Sequence, residues 1–545
     1  MTPLVDSAAA RALDNEASSW CLDTLALVEA AGRGAGGAFL ARYPDFFTGR
    51  KIRVAAVSGT GNNGADSLVA LRFFILKGLV SQELCAALLT RAPKEGSPQA
   101  LAAGALKAMG VALHVGNKGV LESMACQGPL LIIDGIAGTG LEGPLRESAL
   151  DLALCINSVK QHAAPGSLVV SIDIPSGSGD RAASSWPVVE AGATLAVEPL
   201  KTALYTPAMR KKAGTIIPVT GIFPQALVAR HTRATLWTWD EARSLIGEAE
   251  PDGYKYSRGL VEIWAGSDGL AGAARIAGRG AAAAGAGLVR IMADPSIYPI
   301  LASGEGGLMV VPADGSIDPG KDPRFTSDVI LAGPGWGQAA GREALLERVL
   351  EAASRGVPVL LDADALTLAR SRRFEGPVLI SPHPGELEKF SGIPREETLS
   401  RPGELLPQLS RDTGAVIIYK SHVMWIAAPD GRLAVVDGMV PVLAAGGSGD
   451  LLSGLAAGFA ARKAAKQGAA GQTAEQAGAA KNVSTLGAAE ERAFDWFPCA
   501  IAAASLLIET GKTAQQTLGF AGPLELASIA GRLAFGAHAP EEICR

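Results

Sequence analysis

The sequence predicts a two-domain α/β protein built on mostly parallel sheets, and three observations predict it. Short apolar runs recur along the chain, each ending at a glycine-rich or acidic turn and each followed by a helix-compatible stretch, which is the βα unit of a parallel sheet. The runs are continuous rather than alternating, as strands covered on both faces require. At 545 residues the chain exceeds what one hydrophobic core supports, so two or three domains are the prior.

Composition agrees. With 48% hydrophobic and 19% charged residues the chain can bury large cores. A net charge of −5 is small for this length and leaves no electrostatic footprint for nucleic acid. Cys21, Cys85, Cys126, Cys155, Cys499 and Cys544 lie far apart with no CxxC pair, so they read as reduced thiols of a cytoplasmic protein rather than a disulfide framework or zinc site. The first residues, Met-Thr-Pro-Leu-Val-Asp, lack the basic and apolar regions of a signal peptide. The most membrane-like stretch, Val442–Ala461, is interrupted by Asp450 and a glycine cluster, so no membrane span is expected.

In chain order, residues 7–42 suit one or two helices. Lys51–Ser58 reads as a buried strand, Gly59-Thr-Gly-Asn-Asn-Gly-Ala-Asp66 as a ligand-holding loop, and Leu68–Leu76 as a helix. Leu130–Asp134 and Leu168–Asp173 are strands that each end on an aspartate, costly there unless paired or used in chemistry. In a parallel sheet such tips share one edge, so Asn63, Asp134 and Ser176 can converge as hard oxygen ligands for a metal ion, although each aspartate alone would only cap a turn. A linker is expected at about 222–236.

Further βα units follow: strands at Leu260–Ala265, Gly287–Met292, Asp328–Ala332, Pro358–Asp364, Val378–Ile380 and Ala415–Lys420. The second half is organised around Leu443–Leu455, where Gly446, Gly447, Ser448 and Gly449 precede Asp450 and an apolar helical run follows. A glycine turn entering a helix presents unpaired amides to an anion. Asp450, in the first turn, is placed to take a proton from an attacking hydroxyl. Residues 463–493, rich in Ala, Gly, Gln and Lys, read as a partly helical insertion, and Phe497–Glu509 and Pro523–Phe535 as closing helices with Trp496 and Phe497 packing them.

Three motifs of the first half resemble the NAD(P)H-hydrate epimerase domain: Gly59-x-Gly-Asn-Asn-Gly-x-Asp66, Asp134-x-x-x-Gly-Thr-Gly-Leu141 and Asp173-Ile-Pro-Ser-Gly177. The resemblance covers domain 1–225 and implies a Rossmann-like three-layer α/β/α fold. It places a potassium ion at Asn63, Asp134 and Ser176. It lays the hydrated nucleotide along Asn62, Asn63, Gly64, Ala65 and Asp66 and along Gly138, Thr139, Gly140, Leu141, Glu142, Gly143 and Pro144, with Asp173 as the catalytic carboxylate. The family's usual Gly-Gly-Asp-Gly is Gly64-Ala65-Asp66-Ser67 here, and the Ala65 methyl is expected to crowd the ligand.

Domain 237–545 carries Tyr254-Lys-Tyr-Ser-Arg-Gly259, Gly333-Pro-Gly-x-Gly337, Leu361-Asp-Ala-Asp-Ala-Leu366, His383-Pro-Gly-Glu386 and Gly446-Gly-Ser-Gly-Asp450. Together these resemble the ADP/ATP-dependent NAD(P)H-hydrate dehydratase within the ribokinase-like fold. The resemblance implies contacts of Ala273, Gly335, His383 and Asp450 with the hydrate, and of Lys420, Ser421, His422, Val423, Met424, Gly446, Gly447 and Gly449 with ADP or ATP and its Mg²⁺. It implies Asp450 as the base, NADHX or NADPHX as substrate, and a homo-oligomer. Departures are Lys420-Ser-His-Val-Met424 for the family's Lys-Gly-x-x-Thr, the apolar Val440–Ala445, and Asp268 and Leu270 after Gly266. Two other readings of this half stand beside the first: a ribokinase-like kinase of a small alcohol with an accessory N-terminal domain, and a degenerate domain beside a working epimerase.

Overall fold

The computed structural model describes residues 1–248, 252–304, 306–313, 327–337, 339–478 and 494–536, which divide into two compact units meeting in sequence at Thr235 and Leu236. Each unit contains a sheet that its helices cover.

In the first unit seven strands form a parallel sheet: β1 (Arg53–Ser58), β2 (Cys85–Leu89), β3 (Ala112–Val115), β4 (Leu130–Gly135), β5 (Leu168–Ile172), β6 (Ala193–Val197) and β7 (Thr215–Val219), in the order β3-β2-β1-β4-β5-β6-β7. Strand residues alternate between two cores. After α1 (Ser7–Ala17), Val54 and Ala56 pack with α2 (Thr24–Arg42) and α3 (Asn62–Leu76), whereas Ala55 and Val57 pack with α4 (Gly119–Cys126) and α5 (Glu147–His162). Helices on both faces make the three layers the sequence predicts, and explain why β1 is apolar on every residue after Arg53 but the last. The chain leaves β1 toward β2 and β3 on one side and returns to β4 on the other. The crevice at the carboxyl ends of β1 and β4 is therefore the switch point where such sheets hold ligands. A short strand pair, Thr2–Val5 beside Leu200–Lys201, sets Val5 against Lys201.

Two expectations need correction here. Helix α3 begins at Asn62, six residues before the predicted Leu68, so Asn62–Asp66 form its first turn rather than a loop. Residues 222–236 are not a plain linker: they hold α6 (Gln225–His231) and a strand at Ala234–Leu236, with Leu227 and Val228 buried against Leu13 and Ala17.

In the second unit β8 (Leu260–Trp264), β9 (Leu288–Ala293), β10 (Met309–Pro312), β11 (Val329–Ala332), β12 (Val359–Leu361), β13 (Val378–Ile380), β14 (Val416–Tyr419), β15 (Val423–Ala427) and β16 (Leu433–Asp437) line up as β10-β9-β8-β11-β12-β13-β14-β15-β16. The pairs up to β14 are parallel; β15 and β16 join antiparallel. Again the order reverses once, between β8 and β11. Helices α7 (Ala271–Ala283), α9 (Ser448–Gly478), α10 (Phe497–Thr517) and α11 (Pro523–Ala534) cover one face, with α8 (Pro384–Ser391) following β13. Trp496 and Phe497 are buried in this core as expected, and the Trp496 indole donates to Pro377 O at 2.9 Å. Of the expected insertion, residues 463–478 continue α9, and 479–493 lie outside the described residues.

The α7–α9 contact holds the Asp450 end of α9 in place through backbone proximity. A Cβ added at Gly454 would meet Ala277 O at 2.2 Å, and one at Gly458 would meet Ala281 O at 2.4 Å. Only glycine permits such an approach. Gly454→Ala is therefore expected to cost about 1–3 kcal/mol of stability, read by thermal melting of the full chain.

Candidate active sites

The first site sits at the β1–β4 switch point, in a cavity of about 670 Å³. Asn62, Asn63, Gly64 and Asp66 enter it from the first turn of α3, and Gly138, Thr139, Gly140, Leu141, Glu142 and Pro144 from the loop after β4. Asp173, just beyond β5, completes the predicted set. Two predicted residues do not line it. The Ala65 side chain is fully buried in the core under α3, so its methyl faces away from the ligand space, and Gly143 lies outside the lining.

Beneath the cavity Asp134 and Ser176 are fully buried together. Asp134 accepts from Ser176 Oγ at 2.6 Å, Ser176 N at 3.0 Å, Ser171 Oγ at 2.7 Å and Ile136 N at 3.2 Å. Burial pushes its carboxyl up, against the pull of these donors. Asn63 packs against Gly138, one residue beyond Ala137, whose amide donates to Ser176 Oγ at 2.9 Å. Both amide atoms of Asn63 are buried without a hydrogen-bond partner. A buried carboxylate, a hydroxyl and an orphaned amide oxygen make a donor set that fits a monovalent hard cation. Such an ion would take the Ser176 hydrogen's place on Asp134 and supply the partner Asn63 lacks.

Asp173 has φ +65°, outside the range most residues adopt, and its amide donates to Leu195 O at 2.8 Å. Its Oδ1 lies 2.6 Å from Lys201 Nζ. Sequence reasoning missed Lys201, although a lone lysine inside the apolar run Ala193–Tyr205 was a usable signal.

The second site gathers at the carboxyl ends of β8 and β11 to β14. Gly266 N donates to Pro334 O at 2.8 Å, and Gly335, at φ +61°, lies so close to Ala273 that a Cβ there would meet the Ala273 Cβ at 2.9 Å. The two predicted hydrate contacts are thus adjacent, walled by the exposed Leu270. Lys420, after β14, lies 2.5 Å from Asp362 Oδ1 and 3.7 Å from Glu386 Oε2, and a Cβ on Gly449 would sit 3.5 Å from its Nζ. Ser453, one turn along α9 from Asp450, donates to Asp362 Oδ2 at 2.5 Å. Asp362 and Ser453 carried no predicted role.

Asp450 stands in the first turn of α9, its amide bonded to Gly447 O at 2.8 Å. Burial, then the Asp362 carboxylate, push its carboxyl up to about 7, with Lys420 pulling the other way and Glu386 adding to the rise. Burial would depress the Lys420 ammonium, but Asp362 and Glu386 raise it on balance. His383 caps α8: its Nδ1 accepts from Gly385 N at 3.0 Å and Glu386 N at 3.3 Å, leaving the ring exposed. Of the predicted nucleotide residues, Lys420, Ser421 and His422 lie in the turn between β14 and β15. Val423 and Met424 are buried in β15, and their side chains belong to the sheet core. The apolar Val440–Ala445 contains a tight turn at Pro441–Leu443 with Val442 buried.

Comparison with known proteins agrees with the division of motifs. The family described as YjeF-related protein N-terminus matches residues 24–203, and the NAD(P)H-hydrate dehydratase family matches 261–497. The chain is 31% identical over 402 residues to a bifunctional NAD(P)H-hydrate repair enzyme of Escherichia coli, covering 73% of this chain and 74% of that one. It is 30% identical over 485 residues to the enzyme of that name from Moorella thermoacetica, covering 84% and 88%. An ADP-dependent (S)-NAD(P)H-hydrate dehydratase of Bacillus subtilis is 30% identical over 235 residues, covering 41% of this chain and 80% of its own length. With both halves matched in order, and these identities running across most of its length, the chain belongs to the family of bifunctional NAD(P)H-hydrate repair enzymes.

Proposed function

We propose that the two halves act in turn on hydrated nicotinamide nucleotide, NADHX or NADPHX. The first interconverts the R and S forms at C6, and the second returns the S form to the dihydronicotinamide at the expense of ADP or ATP. The observation that supports this most strongly is Asp450, a carboxyl at a helix N-terminus whose pKa of about 7 suits a general base at neutral pH.

In the second half Asp450 takes the proton of the C6 hydroxyl as that oxygen attacks the terminal phosphoryl group. Lys420, held by Asp362 beneath Gly449, places a positive charge where the transferred phosphoryl oxygens gather. Mg²⁺ bound together with the nucleotide would supply further charge neutralisation. Phosphate is a far better leaving group than hydroxide, so the ring nitrogen's electron pair expels it and loss of a C5 proton restores the double bond. Gly335 and Ala273 leave room for the ring against Leu270.

In the first half Asn63, Asp134 and Ser176 would hold K⁺, which fixes the loop after β4 against the first turn of α3. Asp173 then faces the hydrate's C6 hydroxyl. A homo-oligomer in the cytoplasm completes the reading; Cys21, Cys85, Cys126, Cys155 and Cys499 are unpaired thiols, and among the described residues no helix is long and apolar enough to cross a membrane.

The test is incubation of the full chain with the R hydrate alone. Without nucleotide it should yield an R and S mixture, and with Mg²⁺ and ADP or ATP the dihydronicotinamide absorbance should rise. A stable phosphorylated product would instead mark a kinase, and an unchanged R hydrate would remove the epimerase half of the reading.

A further inference from the structure

Three carboxyl groups and one ammonium meet in the cavity of the first unit. Asp66 comes from the first turns of α3, Asp173 from the end of β5, Asp14 from α1, and Lys201 from the short strand Leu200–Lys201. Their surroundings differ. Lys201 is 6% exposed; its Nζ lies 2.6 Å from Asp173 Oδ1 and donates to Val197 O at 2.9 Å. That pairing sets a cationic neighbour beside the Asp173 carboxyl. Asp66 is 8% exposed, and its Oδ1 is buried with no hydrogen-bond partner. A carboxylate left so would bear the full cost of desolvation, whereas a neutral carboxyl would not. Burial first, and then the charge of Asp173, hold the Asp66 carboxyl well above the usual range, against the pull of Lys201. Asp14 is exposed at the rim of the cavity, although crowding around it also raises its carboxyl, against the pull of Lys201. One lysine thus pairs with one of two neighbouring carboxyls and leaves a buried oxygen of the other without a partner, an asymmetry of the kind that gives paired carboxyls different roles in acid–base chemistry.

We propose that Asp66 is a second catalytic residue of epimerisation, the acid that protonates the ring nitrogen while Asp173 takes the proton of the C6 hydroxyl. This rests on the epimerase reading of the first half. C6 of the hydrate carries a hydroxyl and the ring nitrogen on one carbon, so it opens as a hemiaminal. The O–H electron pair forms the C6=O bond and its proton passes to Asp173. The C6–N1 bond breaks, its electron pair stays on N1, and N1 takes the proton of Asp66. Rotation about C5–C6 presents the other face of the aldehyde. Closure reverses each transfer: N1 gives its proton back to Asp66 and attacks C6, and the carbonyl oxygen recovers the proton from Asp173. No atom or electron is gained or lost, and both carboxyls return to their starting forms. Lys201 acts through Asp173 and is a positioning residue.

The test compares the full-length wild type with Asp66→Asn and Asp66→Ser, following conversion of R-NADHX to the S form by chromatography without nucleotide. Both variants should lower kcat about 100-fold or more while KM stays within about threefold, because neither the amide nor the smaller hydroxyl can release a proton as a carboxyl does. Formate added to Asp66→Ser should restore part of the rate and leave the wild type unaffected, a rescue that a purely structural role would not show. Thermal melting should show both variants folded at the assay temperature, so that a lost rate is not a lost fold. A kcat within about threefold of wild type, or a loss confined to KM, overturns the proposal. If the wild type leaves R-NADHX unchanged, the epimerase reading fails with it; if the wild type is active and Asp66→Asn equally so, only the role of Asp66 fails.

Discussion

Replacing Asp450 by asparagine is expected to abolish dehydration while making the protein more stable at neutral and alkaline pH. Loss of the general base should lower kcat by about 10²–10⁴-fold, with nucleotide and hydrate still bound because the amide keeps the carboxylate's shape. The stability effect follows from the same environment. Asp450 is partly buried beside Asp362 and Glu386, so its folded-state pKa, about 7, lies above the value of an unfolded aspartate. A carboxyl raised in this way favours the folded state while protonated, and that contribution disappears as pH rises through about 7. At pH about 8 the asparagine variant should therefore exceed the wild type by ~1–3 kcal/mol in denaturant unfolding, and the gap should close toward pH about 4. In the wild type, kcat/KM for dehydration should fall as pH drops through about 7, because the base must be unprotonated. A variant that keeps its dehydration rate would show that Asp450 does not take the proton.

Asp173→Asn should have the second large effect, in the other half and with the opposite sign on stability. Epimerisation should fall about 10²–10⁴-fold. The substitution also removes the nearest carboxylate from the Lys201 ammonium, which is 6% exposed and keeps its hydrogen bond to Val197 O. Breaking a buried pair from one side costs about 3–5 kcal/mol, so melting should fall clearly. Dehydration of pure S hydrate, carried by the second half, should continue at the wild-type rate wherever the protein is folded. The contrast between the variants is diagnostic: Asp450 is strained by like charges, whereas Asp173 is held by an opposite one.

Much of this was legible in the sequence, and the physical reason is consistent. Apolar runs ending in glycine and aspartate marked β1, β4, β5, β8, β11, β12 and β13, because burial on both faces removes any alternation and leaves only the turn as signal. Asn63, Asp134, Asp173 and Ser176 were singled out at those turns for the same reason, Asp450 at the glycine cluster entering α9, and Gly335 through the family resemblance. What stayed hidden depends on contacts between distant segments. Lys201 makes sense only once its ammonium is seen beside the Asp173 carboxyl, and Asp66, read from the sequence as a ligand contact, gains its further role there. Asp362 stood inside a quoted motif, but its pairing with Lys420 and Ser453 spans 58 and 91 residues. The start of α3 was placed late because Gly64 and the two asparagines read as turn formers, yet the close approach of Gly64 to Gly59 O, 2.0 Å from an added Cβ, is what lets the helix begin there. The Ala65 methyl was assigned to the ligand space because position alone does not say which face of a helix turns inward.

The most direct test of the two-step account is a time course of dihydronicotinamide recovery from an equal mixture of R and S hydrates, with Mg²⁺ and ADP or ATP supplied. The wild type should recover all of the nucleotide. Asp173→Asn should stop near half, when the S form is consumed, and Asp450→Asn should recover none while still interconverting the two forms. Full recovery by Asp450→Asn, or an unaltered wild-type course in Asp173→Asn, would contradict the account.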